Sequence, residues 1–242
     1  MTSTMTSPPT VALVHGAFAD SSGWTGVIRN LQAQGIQTRA ISNPLRGISE
    51  DAAYVASALR QIPGPVLAVA HSYGGAVITN AATKAPNVRG LVYVAAFAPD
   101  EGETLMNIEA NSKDSVLNSV LVEREYPTAN GTQKEYTIDP SSFASAFAAD
   151  VPPADAAVMG ASQRAISALC FVEPTGPPAW RTLPTWAAVA TGDKAAGSDV
   201  VRSMAQRAGA TTTEIDGSHV IMVSRPDAVS EVVMEAIAGI TD

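Results

Sequence analysis

A single serine lies at a turn between two strongly apolar stretches, and this arrangement constrains the fold more than any other part of the sequence. The stretch Val66–Val69 is typical of a buried strand, and Ala76–Ala82 is typical of a buried helix. Between them stands Ala70-His71-Ser72-Tyr73-Gly74-Gly75, in which the two glycines supply the small neighbours that a sharp turn needs. The pattern predicts that the turn presents the Ser72 hydroxyl as an exposed nucleophile above the helix N-terminus.

A serine nucleophile needs a base within hydrogen-bond reach, and the chain has only three histidines: His15, His71 and His219. Adjacent residues on a strand point to opposite faces, so His71 is expected to point away from Ser72. His15 belongs to a different motif, which follows the first apolar strand. His219, in a loop after the last strand-like stretch, is therefore the predicted base.

A third group must orient the imidazole of such a base. Catalytic loops in open parallel sheets lie at the carboxyl ends of strands. Asp193 follows the apolar stretch Trp186–Ala190, and Asp100 follows the apolar stretch Leu91–Ala96. The order of the motifs favours Asp193 as the acid, and Asp100 remains the alternative.

The motif His15-Gly16-Ala17-Phe18 predicts an oxyanion hole, which is a pair of backbone N–H groups that stabilise negative charge on a carbonyl oxygen. One N–H should come from Tyr73, the residue after the nucleophile. The other should come from Ala17, with Phe18 as a less favoured donor. His15 is then expected to brace this loop and not to act as an acid or base.

Composition excludes several other functions. The net charge of −8 disfavours nucleic acid as a partner. The one cysteine, Cys170, lies in an apolar stretch and is interpreted as a packing residue. No Cys/His cluster has metal-ligand spacing and no glycine-rich phosphate loop is present, so no metal or cofactor is expected.

The first nine residues are polar and carry no basic residue, so they do not resemble a signal peptide. The first apolar stretch is too short to span a bilayer. The sequence therefore predicts a cytoplasmic protein with no membrane partner.

Strand and helix patterns alternate along the chain, which favours an α/β fold with a mainly parallel sheet of about six strands flanked by helices. Amphipathic helices are predicted between the strands from apolar residues at i, i+3, i+4 and i+7. The predicted strands are Val11–His15, Gln37–Ile41, Val66–Ala70, Gly90–Ala96, Thr185–Ala190 and Thr211–Ile215.

The alternation stops over residues 98–183, which are predicted to form a helical cap inserted before the penultimate strand. Residues 1–97 and 184–242 would then form the core unit. Helical pieces are predicted at Phe143–Ala149 and Asp155–Leu169. Apolar residues of the cap would line the acyl site or form the core of the cap itself, and with Phe18 the candidates are Leu105, Met106, Phe143, Phe147 and Met159.

The motifs 14–18, 70–75 and 217–219 make the chain resemble the α/β-hydrolase fold superfamily, in the branch of small bacterial esterases, plant methyl esterases and hydroxynitrile lyases. The resemblance covers nearly the whole chain. It implies a triad of Ser72, Asp193 and His219, with oxyanion donors at Ala17 and Tyr73 and no cofactor. The lyases have a lysine after the histidine and a threonine in the first loop. This chain has Val220 and Gly16-Ala17 there, so cyanide release is not expected.

The predicted function is that of a serine hydrolase, which cleaves a small hydrophobic carboxylic ester through an acyl-enzyme on Ser72. A cofactor-free haloperoxidase or an acyltransferase would use the same triad. A third alternative is a non-catalytic protein that binds a small hydrophobic ligand.

Overall fold

Strands and helices alternate along most of the chain in the computed structural model, which describes residues 8–241. Residues 1–7, which include most of the polar N-terminal segment and the start of the predicted core unit, lie outside the described residues. The strands are β1 (Thr10–Val14), β2 (Thr38–Ile41), β3 (Val66–His71), β4 (Val88–Val94), β5 (Leu121–Thr128), β6 (Gly131–Ile138), β7 (Ile166–Ser167), β8 (Thr185–Ala190) and β9 (Thr211–Ile215). The α-helices are α1 (Thr25–Ala33), α2 (Ile48–Arg60), α3 (Tyr73–Ala81), α4 (Leu105–Ala110), α5 (Pro140–Phe147), α6 (Pro153–Ser162), α7 (Leu169–Val172), α8 (Ser198–Arg207), α9 (Ile221–Ser224) and α10 (Pro226–Thr241).

The main sheet has six parallel strands in the order β2-β1-β3-β4-β8-β9. This confirms the predicted α/β class and all six predicted strands. Every residue of β3 and β8 is buried, as expected for strands that helices cover on both faces. Val14 of β1 lies opposite Ala70 of β3, so the loops that follow these two strands meet at the same edge of the sheet.

The predicted apolar stripes of the helices face the core. Val27 and Leu31 of α1 are buried, and so are Val229, Val233 and Ala236 of α10. Burial of a large aliphatic side chain contributes roughly 1.5–3 kcal/mol, so these stripes hold the helices against the sheet.

The segment between β4 and β8, residues 95–184 and here named the β4–β8 segment, contains four helices and a second sheet among its elements. The second sheet is antiparallel, in the order β5-β6-β7. Helices were predicted in this segment and the sheet was not. The residues of β5 are partly buried or exposed on both faces, so the strand lacks the alternating apolar pattern that would have indicated it.

The predicted helix Asp155–Leu169 is wrong beyond Ser162, where α6 ends. The chain becomes extended at Gln163, whose side-chain amide bonds to both the N–H and the C=O of Ile138 at 2.8 and 2.9 Å. Ile166 and Ser167 then pair with β6 as strand β7. Pairing with a distant strand thus overrides the local helical pattern.

Candidate active site

Ser72 lies in the turn between β3 and α3, at the carboxyl edge of the main sheet. Its backbone has φ +52° and ψ −127°, a conformation that residues with a Cβ rarely adopt. The N–H groups of Gly75 and Phe97 donate to the Ser72 carbonyl at 2.9 and 3.2 Å and hold the turn. The side chain is only 5% exposed and faces an internal cavity, which differs from the open position expected from the sequence. Local strain of this kind occurs at functional sites.

Two glycines allow the loop after β1 to approach the Ser72 turn closely. A Cβ on Gly16 would lie 2.6 Å from the Cβ of Ser72 and 2.8 Å from the carbonyl oxygen of His71. A Cβ on Gly74 would lie 2.8 Å from the carbonyl oxygen of His15. These separations are shorter than van der Waals contact, so both positions require glycine.

Asp193 and His219 form a buried pair behind the cavity. Oδ2 of Asp193 lies 2.8 Å from Nδ1 of His219, and both side chains are 1% exposed. The other carboxylate oxygen, Oδ1, accepts the N–H groups of Ala195 and Ala196 at 2.9 and 3.0 Å. The carboxylate is therefore fixed on one side by backbone and presents its remaining oxygen to the imidazole.

Ser72 and His219 line the same small cavity. Among the described residues, the Ser72 hydroxyl makes no hydrogen bond, to His219 or to any other group. Such contacts are often long in ligand-free enzymes and shorten when substrate binds. The space open to the centre of a water molecule is about 10 Å³, which is room for about one water, so a substrate must displace some of the lining side chains.

The predicted oxyanion donors, Ala17 and Tyr73, both line this cavity. Tyr73 is the first residue of α3, so its N–H has no partner within the helix. Its hydroxyl donates to Oδ2 of the buried Asp51 at 2.7 Å, which anchors the first turn of α3 to α2. Ala17 and Tyr73 therefore both lie at the cavity that Ser72 lines.

His15 braces the loop after β1, as the sequence predicts. Its Nδ1–H donates to the carbonyl of Gly16 at 2.9 Å, and its Nε2 accepts the N–H of Asn43 at 2.9 Å. Burial lowers the pKa of His15 to about 4, so the ring is neutral at pH 7 and suits this donor–acceptor pattern. The ring thereby fixes the loop that carries Ala17.

His71 packs against His219 and does not line the Ser72 cavity. Its ring centroid is 4.5 Å from that of His219. Burial, and then the neighbouring His219, hold the pKa of His71 well below its usual range, so the ring is neutral. Its Nε2–H then donates to the carbonyl of His219 at 3.0 Å and fixes the backbone of that residue. That the ring points away from Ser72 stays a prediction, while its contact with His219 was not predicted.

Three of the six candidate pocket residues line the Ser72 cavity, and Met106, Phe143 and Met159 do not. Met159 lines a separate pocket with Val158 and Val223. Phe18 and Leu105 line the Ser72 cavity. Met106 is 51% exposed and lines a different cleft, because the next residue on a helix points about 100° away from Leu105. Phe143 packs behind the wall, with its ring centroid 5.0 Å from that of Phe147. Phe147 itself lines the cavity, 4.8 Å from the His219 ring.

Glu109 also lines the cavity, and the sequence analysis did not single it out. It lies on α4 with a side chain that is 4% exposed. Burial, with a further contribution from the charge of Asp193, raises the pKa of Glu109 to about 8. The sequence could have indicated Glu109, because it places a carboxylate in a short apolar helix, four residues after Leu105.

The alternative acid, Asp100, lies outside the cavity lining and forms an ion pair with Arg181 at 2.5 Å. Cys170 is buried, and burial raises the pKa of its thiol. Its Sγ lies 3.9 Å from Oδ2 of Asp51. The thiol is therefore a packing group with little thiolate character.

Over residues 8–241, no group of three or more His, Cys, Asp and Glu side chains is arranged to hold a metal ion. No helix in the same range is long and apolar enough to cross a membrane.

The comparison with known families agrees with this geometry. The sequence profile described as "Alpha/beta hydrolase family" matches residues 11–232. The chain belongs to the alpha/beta hydrolase family. The match includes the Ser72 turn, the loop after β1 and the Asp193–His219 pair, so the site lies within the part of the chain that the family shares.

Several solved hydrolase and esterase structures have the same fold at low sequence identity. Polyneuridine aldehyde esterase has a TM-score of 0.79 at 18% identity, over 98% of this chain and 100% of that one. A pyrethroid hydrolase from Sphingobium faniae JZ-2 has a TM-score of 0.77 at 20% identity, over 95% of this chain and 97% of that one. A methylesterase from Arabidopsis has a TM-score of 0.77 at 16% identity, over 96% and 99% of the two chains. The esterase branch predicted from the motifs is thus represented among the structural neighbours.

One curated relative matches part of the sequence at higher identity. The carbendazim hydrolyzing esterase of Nocardioides sp. (strain SG-4G) is 55% identical over 42 residues. That match spans 17% of this chain and 17% of the relative.

Proposed function

We propose that this α/β hydrolase is a serine esterase that cleaves a small, largely apolar carboxylic ester through an acyl-enzyme on Ser72. The observation that carries the proposal is the convergence of three features at one cavity. They are the Ser72 turn, two backbone N–H groups, and the buried pair of His219 and Asp193. The esterases and hydrolases among its relatives support the same reaction class.

In the proposed acylation step, Oγ of Ser72 attacks the ester carbonyl and Nε2 of His219 takes the hydroxyl proton. Asp193 accepts the Nδ1–H of the resulting imidazolium and stabilises its charge. The N–H groups of Ala17 and Tyr73 donate to the oxyanion of the tetrahedral intermediate. The imidazolium then donates its proton to the leaving alcohol, and the acyl group remains on Ser72.

In the proposed deacylation step, His219 removes a proton from a water molecule, which attacks the acyl-enzyme ester. A second tetrahedral intermediate forms at the same N–H groups and collapses to release the acid and the Ser72 hydroxyl. His71 and His15 act as positioning residues. The first holds the backbone of His219, and the second holds the loop that carries Ala17.

We also propose that the β4–β8 segment is a cap over this site. It supplies six of the residues that line the Ser72 cavity: Phe97, Leu105, Glu109, Leu117, Phe147 and Phe171. A wall of this kind excludes water and must shift to admit a substrate, because the closed cavity holds only about one water.

The test is a panel of p-nitrophenyl esters of increasing acyl length, assayed with the wild-type protein and with Ser72→Ala. Loss of a triad serine is expected to lower kcat by roughly 10⁴- to 10⁶-fold. A fluorophosphonate probe should add to Ser72 in the wild type, as located by peptide mass spectrometry. Ser145→Ala is a matched control, because its hydroxyl is exposed and bonds only to the carbonyl of Ser142.

An ordinary rate with Ser72→Ala would remove the serine from the mechanism. Absence of both turnover and adduct in the wild type would favour a non-catalytic binding protein. Faster product formation with hydrogen peroxide or an alcohol as acceptor than with water would identify a perhydrolase or acyltransferase instead.

A further inference from the structure

Glu109 lies between two cavities. On one side it lines the Ser72 cavity with Leu117 and Phe171. On the other side it lines a neighbouring cleft of about 350 Å³, which is open to the surface. Phe171 borders both spaces. The cleft is lined by Met106, Glu109, Asn118, Leu121, Glu123, Tyr136, Ala168, Phe171 and Val172.

The Glu109 carboxyl has no protein partner in the described part of the chain. Only desolvation and the charge of Asp193 act on its ionisation, and no hydrogen bond or ion pair does. A buried carboxyl without a partner is unfavourable for folding. The pKa of about 8 means that most of these groups are protonated in the free protein at pH 7, which reduces that cost. A ligand that completed its hydrogen bonds would remove the remaining cost.

The charges around Glu109 favour a positively charged ligand group. The residues that line the two cavities include no lysine and no arginine. The charge that acts on the ionisation of Glu109 is that of the Asp193 carboxylate. Glu123, which also lines the cleft, is already paired with Lys134 at 2.8 Å. Glu109 is therefore the buried carboxyl that is free to receive a cation from a ligand.

We propose that Glu109 binds a cationic amine carried by the ester substrate, with the apolar part of the ester in the Ser72 cavity and the amine beside Glu109 at the inner end of the cleft. This inference rests on the proposed hydrolysis of an ester at Ser72. On binding, the Glu109 carboxyl loses its proton to solvent, and the carboxylate accepts the N–H of the ammonium. The substrate class is thus an amino ester.

The test compares two pairs of esters that differ only in replacement of a protonated nitrogen by carbon. With the amine on the alcohol side, the pair is 2-(dimethylamino)ethyl butyrate and 3-methylbutyl butyrate. With the amine on the acyl side, it is methyl 3-(dimethylamino)propanoate and methyl 4-methylpentanoate. In at least one pair, the wild-type kcat/KM should be at least about tenfold higher for the amino ester than for the carbon ester. This is the effect expected of a charge-assisted hydrogen bond. That pair identifies the side of the ester that carries the amine.

Glu109→Gln preserves the shape of the side chain and removes its charge, so the amino ester to carbon ester ratio should fall by about tenfold or more. Glu125→Gln is the matched control, because that residue is exposed on β5 and lines neither cavity. If Glu109→Gln does not fold, Glu109→Asp serves instead and should reduce the ratio in part. A wild type that prefers the carbon ester in both pairs would overturn the proposal, as would a ratio that the substitution leaves unchanged.

A binding measurement separates this inference from the proposed reaction. Titration calorimetry of 2-(dimethylamino)ethyl butyrate and of methyl 3-(dimethylamino)propanoate into Ser72→Ala, in two buffers of different ionisation enthalpy, reports protons released on binding. At pH 7, at least one of them should release close to one proton from the protein, and Ser72→Ala/Glu109→Gln should release none. Proton release without turnover by the wild type would reject the esterase function and retain the amine site. Turnover without proton release would retain the esterase function and reject the amine site.

Discussion

Replacement of Asp193 by asparagine tests whether the buried carboxylate sets the protonation of His219. Because Oδ1 accepts the N–H groups of Ala195 and Ala196, an asparagine must keep its oxygen on that side. Its NH₂ group then points at Nδ1 of His219, which lies 2.8 Å from the present Oδ2. Nδ1 becomes an acceptor, so the imidazole proton moves to Nε2 and no base faces Ser72.

The expected loss follows from the tautomer alone. The same substitution in a serine protease triad lowers kcat by about 10⁴-fold. That is about 5.4 kcal/mol of transition-state stabilisation, at about 1.36 kcal/mol for each factor of ten. The assay is kcat for p-nitrophenyl acetate, with thermal unfolding of both proteins as a check. The midpoint temperature of unfolding should change little, because the asparagine oxygen keeps both backbone hydrogen bonds.

Asp100→Asn is the matched control, because Asp100 is the alternative acid considered from the sequence. Its carboxylate is 30% exposed and pairs with Arg181, so its loss should leave kcat within about twofold. The reasoning fails if Asp193→Asn retains more than a tenth of the wild-type kcat while it stays folded. It also fails if Asp100→Asn loses as much activity as Asp193→Asn.

Three further predictions concern stability and the Ser72 turn. Gly16→Ala should lower the free energy of unfolding by about 1–3 kcal/mol and strongly reduce ester hydrolysis, because its Cβ would lie 2.6 Å from that of Ser72; urea unfolding and a kcat assay would check both. Ser72→Gly should abolish hydrolysis yet raise the free energy of unfolding by about 1 kcal/mol, since glycine adopts φ +52° without strain; a less stable variant would contradict this. For Glu109, the folded-state pKa of about 8 exceeds the unfolded-state value, so the unfolded chain loses its proton first and stability falls as pH rises between the two values. The free energy of unfolding of Glu109→Gln, relative to that of the wild type, should therefore be higher at pH 8.5 than at pH 5 by on the order of 3 kcal/mol. An equal difference at both pH values would refute the pKa shift.

Local patterns predicted the core of the fold well. Buried parallel strands such as β3 and β8 are continuous apolar runs, and helices such as α1 and α10 show their buried stripes directly. The turn at Ser72 was predictable because a strand, small residues and a helix follow one another within a few positions. Asp193 and His219 were predictable as candidates because both follow strands that end at the same edge of the sheet.

The β4–β8 segment was harder to predict, because its structure depends on contacts between distant residues. Strand β7 has only two residues and exists through its pairing with β6. The contact between His71 and His219 joins residues 148 positions apart, which local patterns do not reveal. Met106 and Phe143 were assigned to the cavity from their apolar character alone, which does not distinguish a cavity wall from the layer behind it.

Residues of the loop that follows β8 both hold the Asp193 carboxylate and line the Ser72 cavity. Ala195 and Ala196 donate their N–H groups to Asp193, and both residues line the Ser72 cavity. Substitutions there that reshape the cavity will also disturb the carboxylate. In another part of the cavity wall, Leu105, Leu117 and Phe171 make no hydrogen bond to either residue of the pair. Selection or engineering for new esters should therefore accumulate changes in that part of the wall, while the loop after β8 stays fixed.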